Sequence, residues 1–430
     1  MTTRHEHVFS IRIEMNHYWY HIGIMNNHGE YILAHLSDLH LGYKAGRKIT
    51  SQGINWRVAD GYKAFDECVN QILEDGTVDA VLVAGDVFHV PEPDMNSIVI
   101  AQREFRRLAD AGIPVYAIAG NHDKSDIRSE IAASAVIDDR EAGIWSHAEP
   151  YAVHEIFPGV FLHMVSHHLF SDQAATWEYV KPRENAINIL TAHGTMMDPD
   201  TRTIIHSDAP APREIIIPSE MVSQENWDYC LLGHIHERRY VGNSKTSKVF
   251  YNGSLVRRGF SDGVTPLGRG WTKWTIHNDG TMSPEYKTIH QRAQKDFDVI
   301  DAEKMSSADI SDIIIHNLHD ALDGVSDDAD SPILRQRIVN ISSDKKKSLD
   351  LATISALSSK ALTWSLQTQT IEETTKSKED SSSGGSVSER YASWLESSHE
   401  YKVLEDDLKT DVKTDTKNYI EKGQEEVLDD

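Results

Sequence analysis

From residue 31 onward one pattern recurs six times: a short apolar run followed at once by a cluster of Asp, Asn or His. The runs are 31–36 before SDLH, 80–84 before GDVFH, 115–119 before GNHD, 160–165 before SHH, 187–192 ending at His193, and 229–232 before GHIH. Short apolar runs bounded by polar turns read as buried strands. Between the first two, Phe65, Val69, Ile72 and Leu73 fall at helical spacing within 58–73, and 98–111 gives a second helix. Strands and helices therefore alternate, which predicts an α/β layered domain. In such sheets the ligand crevice lies beyond the carboxyl ends of the strands, where the polar clusters would meet.

The alternation of Trp271, Trp274 and Ile276 predicts that 254–276 forms closing β-hairpins of the same domain. Past residue 292 the character changes. A strand is expected at 297–300, then a helix whose apolar face is Ile310, Ile313, Ile314, Leu318, Ala321 and Leu322, ended by Gly324. A strand at 333–341, a helix at 349–357 and a strand at 362–371 complete a small α+β domain. SSSGGS at 381–386 has the composition of a flexible linker. The expected divisions are an N-terminal extension at 1–29, a main domain at 30–291, the small domain at 292–375, a linker at 376–386 and an acidic helical tail at 387–430. The extension reads as a loose segment or an extra edge strand, and the tail as a solvated acidic segment or a partner-binding helix.

The donors are regularly placed. Asp38 and His40 lie two residues apart, as do His234 and His236, so on an extended chain each pair would point to one side. Asp86 and Asn121 each follow a glycine, which lets the backbone turn sharply or approach a neighbour closely. Asp38, His40, Asp86, Asn121, His193, His234 and His236 make seven oxygen and nitrogen donors without a thiolate. That set suits manganese, iron or zinc and exceeds the shell of one ion, so two divalent metals are implied. A pair about 3.5–4 Å apart generates a nucleophile from water and neutralises phosphate oxygens, which points to phosphoester hydrolysis.

The ordered set SDLH, GDVFH, GNHD, AHG and GHIH resembles the calcineurin-like metallophosphoesterases over residues 30–280. The resemblance implies a layered metallophosphoesterase β-sandwich flanked by helices, followed by a small α+β capping domain and a C-terminal helical tail. It implies that Asp38, His40, Asp86 and His236 hold the first metal, and that Asp86, Asn121, His193 and His234 hold the second. His122 would protonate or stabilise the leaving oxygen, with Asp123 orienting its ring. Within the superfamily, GDVFHVPEP, LLGHIH, YNGS and the small domain after 292 are similar to the SbcD-like DNA double-strand-break repair nucleases. In that branch His89 would contact the scissile phosphate. The resemblance further implies manganese, a metal-dependent phosphodiesterase with 3′→5′ exonuclease and single-strand or hairpin endonuclease activity, a homodimer, and an SbcC-like SMC-type ATPase partner. Members of the Ser/Thr phosphatase branch instead carry Asp-Arg-Gly after the second motif and Glu where this chain has Asp123.

Charge bears on the DNA reading. Lys and Arg total 43 against 67 Asp and Glu, a formal net charge of −24, which disfavours nonspecific attraction to nucleic acid. A local basic rim is still expected from Lys44, Arg47, Lys48, Arg57, Arg238, Arg257 and Arg258, all near the metal motifs in sequence. His163, His167 and His168 read as core or rim histidines, and Arg103, Arg106 and Arg107 as the wet face of a helix. Two cysteines, Cys68 and Cys230, imply packing in a reducing compartment rather than a disulfide framework. With neither a signal-peptide pattern nor a run near the ~20 apolar residues that a bilayer requires, cytoplasmic residence without a membrane partner is expected. The rival functions are a phosphatase or small-molecule phosphodiesterase on the same core, and a noncatalytic scaffold.

Overall fold

The apolar runs lack a strict alternation because both faces of their strands are covered. The computed structural model describes residues 30–124, 131–167, 177–196, 216–218, 227–242, 247–260, 262 and 265–370, together with the backbone of 11–15 and 18–22. The expected linker and tail, and His168, lie outside the described residues. In chain order β1 (Ile11–Met15) and β2 (Tyr18–Ile22) pair antiparallel as a sheet of their own, not as an edge of either large sheet. The chain continues through β3 (Tyr31–Leu36), α1 (Trp56–Asp75), β4 (Ala80–Val83), α2 (Met95–Asp110), β5 (Val115–Ile118) and β6 (Ile144–His147). Then come β7 (Ala152–Phe157), β8 (Val160–Val165), β9 (Ile187–His193), β10 (Thr195–Met196), β11 (Ile216–Ile217), β12 (Tyr229–Gly233), β13 (Arg239–Tyr240) and β14 (Val249–Tyr251). An antiparallel hairpin of β15 (Gly270–Ile276) and β16 (Met282–Thr288) returns to the first sheet.

Two six-stranded sheets result, ordered β16-β15-β3-β4-β5-β6 and β13-β14-β12-β9-β8-β7. Side chains alternate in β3: Ile32, Ala34 and Leu36 pack with Phe65, Val69 and Ile72 of α1 and Phe105 of α2, whereas Leu33 joins Leu82, Ile118, Met164, Ile189, Leu231 and Trp274 between the sheets. The far face of the second sheet buries Leu190, Cys230, Leu232, Trp227 and Tyr251. Both cysteines are buried thiols, as packing requires. The expected fold class, a layered α/β sandwich flanked by helices, is the observed one. In the parallel pairs β3-β4-β5 and β9-β12 the strands run the same way, so their carboxyl ends, which carry the donor clusters, share an edge.

The hairpin expectation for 254–276 needs correction: among the described residues there, only Gly270–Ile276 is a strand. Residues 254–260 instead form an irregular strap whose backbone carbonyls are taken by side chains from elsewhere in the fold.

The small domain is built from β17 (Gln294–Asp296), β18 (Ile300–Asp301), α3 (Ser307–Leu322), β19 (Ile333–Ile341), α4 (Ser343–Lys347), α5 (Leu351–Ser358) and β20 (Thr363–Thr370), with a four-stranded sheet and a core of its own. The strand expected at 297–300 is instead mostly a break between two strands, since β17 ends at Asp296 and β18 begins at Ile300. The buried amide of Gln336 accounts for the break, because its Nε2 donates to the Asp298 carbonyl at 2.7 Å and takes the place of a ladder partner. Ser306 and Asp309 cap α3 reciprocally. Arg292 joins the two domains: its guanidinium makes 2.7 and 2.8 Å bonds to both carboxylate oxygens of Asp60 on α1. Among the described residues no helix is long and apolar enough to cross a membrane.

Asp79 makes stability depend on pH. Burial pushes its carboxyl up to about 6, against a hydrogen bond from the Ile32 amide. The folded chain thus holds a proton that the unfolded chain releases, and stability falls as pH rises from about 4 to about 6. Asp79→Asn keeps an acceptor for Ile32 and cannot ionise. It is expected to stabilise the protein above pH 6 by about 1 kcal/mol, allowing for partial exposure, and to change little at pH 4, as read by chemical denaturation at both pH values.

Candidate metal centre

Each donor sits where a strand ends. Asp38 and His40 follow β3, Asp86 follows β4, Asn121 and His122 follow β5, His193 ends β9, and His234 and His236 follow β12. The Asp38–His40 and His234–His236 pairs do not converge through an extended chain. Asp38, His40, Asp86 and His234 all have left-handed backbones, with φ of 52°, 44°, 53° and 99°. Such conformations cost on the order of 1–2 kcal/mol per residue outside glycine, so neighbouring bonds must hold them. The Asp38 amide donates to the Gly85 carbonyl and the His40 amide to the Asp86 carbonyl, each at 3.0 Å. The His234 amide donates to both Asp38 carboxylate oxygens at 3.1 Å.

The glycines admit neighbouring chains more than they admit a ligand. A Cβ at Gly120 would overlap the Asp86 carboxylate, and one at Gly233 would overlap the Ala84 carbonyl oxygen. Gly120 thus lets two turns of the first sheet meet, and Gly233 lets the second sheet touch the first.

The structure brings all seven expected ligands together. His40 Nε2 lies 3.0 Å from His236 Nε2, while Asn121 Oδ1 lies 3.0 Å from His193 Nε2 and 3.1 Å from His234 Nδ1. Asp86 Oδ2 stands between the two groups, 3.2 Å from His193 Nε2 and 3.6 Å from His40 Nε2. Asp38, His40 and His236 form one cluster with ligand atoms mutually within 4.8 Å, and Asp38, Asp86 and His193 another. Burial drives the imidazoles of His40 and His234 well below the usual histidine range, leaving lone pairs aimed into the site. Burial also disfavours charge on His193, yet the Asp86 carboxylate outweighs it and pushes the ring up to about 9. The same pairing holds Asp86 well below the carboxylate range despite its burial. These ring nitrogens and oxygens converge closely enough for cations to bind between them, and this donor set fits two borderline or hard divalent ions.

Ring orientation is set behind the ligands. His193 Nδ1 donates to the Ala84 carbonyl at 2.9 Å, and His236 Nδ1 donates to Asp262 Oδ1 at 3.0 Å. Each bond directs the opposite nitrogen inward. Asp262 was not among the residues expected from sequence. Its signal would have been the general need of a ligating histidine for an acceptor on its second nitrogen, but nothing local marks which acid supplies it.

His122 and His89 stand together at the mouth, their rings stacked with centroids 5.1 Å apart and 19° between planes. The role expected for Asp123 is corrected: His122 Nδ1 donates to the His89 carbonyl at 2.7 Å, not to Asp123. Asp123 is fully buried and accepts from the Val87, Phe88 and Gly120 amides, so it ties the second and third donor turns together. Its carboxyl is pushed up to about 7 by burial and by the nearby Asp86.

The basic rim is smaller than expected. Arg57 and Arg238 are 2% and 1% exposed, so they cannot reach DNA. The Arg57 guanidinium holds Asp60 and the Arg257 carbonyl, and that of Arg238 holds the carbonyls of Asn252 and Leu267. Both act as internal struts. Arg257 and Arg258 are half-buried, with Arg258 Nη2 3.0 Å from His236 Nδ1, and Lys48 pairs with Asp328 at 2.7 Å. Lys44 and Arg47 are exposed. His163 is a core residue bonded to Tyr151 and Asn188, and Arg103, Arg106 and Arg107 pair with Glu104, Asp139 and Asp66 on the helix surface.

Residues 32–238 match the family model for calcineurin-like phosphoesterases. This stretch is a calcineurin-like phosphoesterase domain. The chain is similar to the DNA double-strand break repair protein Mre11 of Aeropyrum pernix, with 29% identity over 216 residues, covering 48% of this chain and 49% of that one. With the protein of the same name from Methanococcus maripaludis it shares 37% identity over 89 residues, 21% of this chain and 22% of the relative. These matches thus span half or less of the relatives' length. Among solved structures, a dimetal phosphatase from Danio rerio superposes with a TM-score of 0.34 and 11% identity, covering 58% of this chain and 93% of that one.

Because the clustered donors belong to the folded chain alone, divalent metal bound there should stabilise the phosphoesterase domain. Manganese at about a hundred times its dissociation constant is expected to add about 2.7 kcal/mol per site. Thermal melts with added Mn2+ and with a chelator check this, and identical melts would contradict the proposed ligand set.

Proposed function

We propose that this chain is a dinuclear-metal DNA nuclease, a 3′→5′ exonuclease and single-strand or hairpin endonuclease that works in double-strand-break repair with an SbcC-like SMC-type ATPase. The observation that carries the hydrolytic reading is the convergence of seven donors, Asp86 central among them, with His122 and His89 beside them. The DNA reading is supported by likeness to the archaeal repair proteins and by exposed Lys44 and Arg47, which follow Asp38 and His40 closely in sequence.

Asp38, His40, Asp86 and His236 would hold one ion, and Asp86, Asn121, His193 and His234 the other, manganese being the proposed metal. Bound there, such ions acidify water and neutralise phosphate charge. The chain's own residues then divide the remaining work. His122, anchored through Nδ1 to the His89 carbonyl, presents Nε2 to donate a proton to the leaving oxygen, and the His89 ring contacts the phosphate. The backbone amide of His122 donates to Asp86 Oδ1 at 2.8 Å, which fixes the bridging carboxylate relative to that acid. Lys44 and Arg47, with Arg257 and Arg258 nearer the metals, provide a salt-dependent hold on the DNA backbone. A homodimer is supported by the exposed apolar residues Met95 and Val99 of α2, 70% and 54% exposed, and by Ile131 and Val136, 84% and 40% exposed, the Val136 carbonyl being bonded by Gln102 of α2.

With manganese, a labelled DNA hairpin should be cut with a higher kcat/KM than a cyclic nucleotide or p-nitrophenyl phosphate. Preference for the small esters would instead assign a phosphatase or small-molecule phosphodiesterase. His122→Gln should lower kcat about 10²–10⁴-fold while the bound manganese stays at two per chain, as measured by elemental analysis of the dialysed protein. Undiminished cleavage would remove His122 from the mechanism.

A further inference from the structure

His236 takes its ring orientation from Asp262, and Asp262 closes a strap, 254–260, that both domains grip. From the sandwich, Tyr43 Oη donates to the Arg258 carbonyl at 2.9 Å, and Arg269 donates to Ser254 Oγ at 2.6 Å and to the Asp262 carbonyl at 2.8 Å. From the start of the small domain, Gln294 Nε2 donates to the Arg257 carbonyl at 2.7 Å. Farther in, the guanidinium of Arg335 on β19 lies 4.4 Å from the ring centroid of Phe260, whose ring also has Arg257 at 5.3 Å. Arg335 is fixed in turn by a two-point pair with Asp296, at 3.0 and 2.6 Å. The Asp262 carboxylate faces His236 on one oxygen and the Arg258 amide, at 2.7 Å, on the other.

We propose that the small domain sets the affinity of the Asp38–His40–His236 metal site: Arg335 pins Phe260, Phe260 fixes the strap, and the strap presents Asp262 to His236 Nδ1. Arg335, Phe260 and Asp262 are positioning residues, since none touches the reacting atoms. The proposal rests on the metal pair of the preceding section and on no property of DNA. A carboxylate behind a ligating histidine locks the ring and makes its inner nitrogen more basic, and removing such a partner lowers metal affinity about 10–100-fold. Movement of the small domain away from the sandwich would release Phe260 and weaken this site, while the Asn121–His193–His234 side, held by the Ala84 carbonyl, would be spared.

The test is manganese binding to the full chain without nucleic acid, by titration calorimetry and by the electron-spin signal of free Mn2+. Wild type should bind two ions. Asp262→Ala should weaken one of them about 10–100-fold, and Arg335→Ala and Phe260→Leu should weaken the same one about 3–10-fold. Phe260→Tyr keeps the ring under the guanidinium and should restore wild-type affinity. Arg337→Ala, which removes a different guanidinium from Asp296 (3.3 Å), should leave both sites unchanged. Unchanged affinities in Asp262→Ala, or in both Arg335→Ala and Phe260→Leu, would overturn the proposal. So would equal weakening of both sites, because that marks general loosening rather than a strap acting on His236. A protein that shows the expected binding pattern yet leaves DNA intact would sink the nuclease reading alone.

Discussion

The rest of the site is arranged around one buried carboxylate. Asp86 is 1% exposed and is reached by His193 and His40 from opposite sheets and by the His122 amide from a third turn. A charge in that position is tolerable only when paired, and the imidazoles opposite it are themselves too buried to be charged together. The Asp86 carboxylate raising His193, and burial lowering His40 and His234, are two sides of that balance. A pair of divalent cations satisfies every donor at once, which is the physical reason the geometry reads as a metal centre rather than as a polar core.

The sandwich is what makes such crowding possible. Parallel strands in each sheet end at the same edge, and glycines at 120 and 233 let one donor turn press against the next. Four ligand residues take left-handed backbones there, a strain held in place by amides bonded across turns and by the fully buried Asp123. The backbone of one turn thus serves as the hydrogen-bond partner of another.

The small domain is joined to this edge by polar rather than apolar contacts. Its core is separate, and the junction runs through Arg292 with Asp60, Lys48 with Asp328, and the strap around Phe260. Charged and stacked contacts of this kind are directional and weaken quickly with displacement, which suits a junction that transmits position to the metal ligands.

Much of this was legible in the residues. The six apolar runs and their trailing donors predicted the layered fold and the gathering of seven donors, because strand ends in parallel sheets must share an edge. The strand at 333–341 and the helix face of Ile310, Ile314 and Leu318 were equally plain, since burial imposes their periods. What tertiary structure alone decided is which long-range partner each polar group finds. Arg57 and Arg238 look like surface cations in sequence but are struts, because backbone carbonyls hundreds of positions or only a loop away turn toward them. Asp123 proved to anchor turns instead of a ring, Gln336 split a strand, and Asp262 came to stand behind His236, all through bonds whose geometry no local pattern encodes. Apolar periodicity reports a face, which is local, whereas a hydrogen bond needs two particular atoms in line, which only the folded chain can arrange.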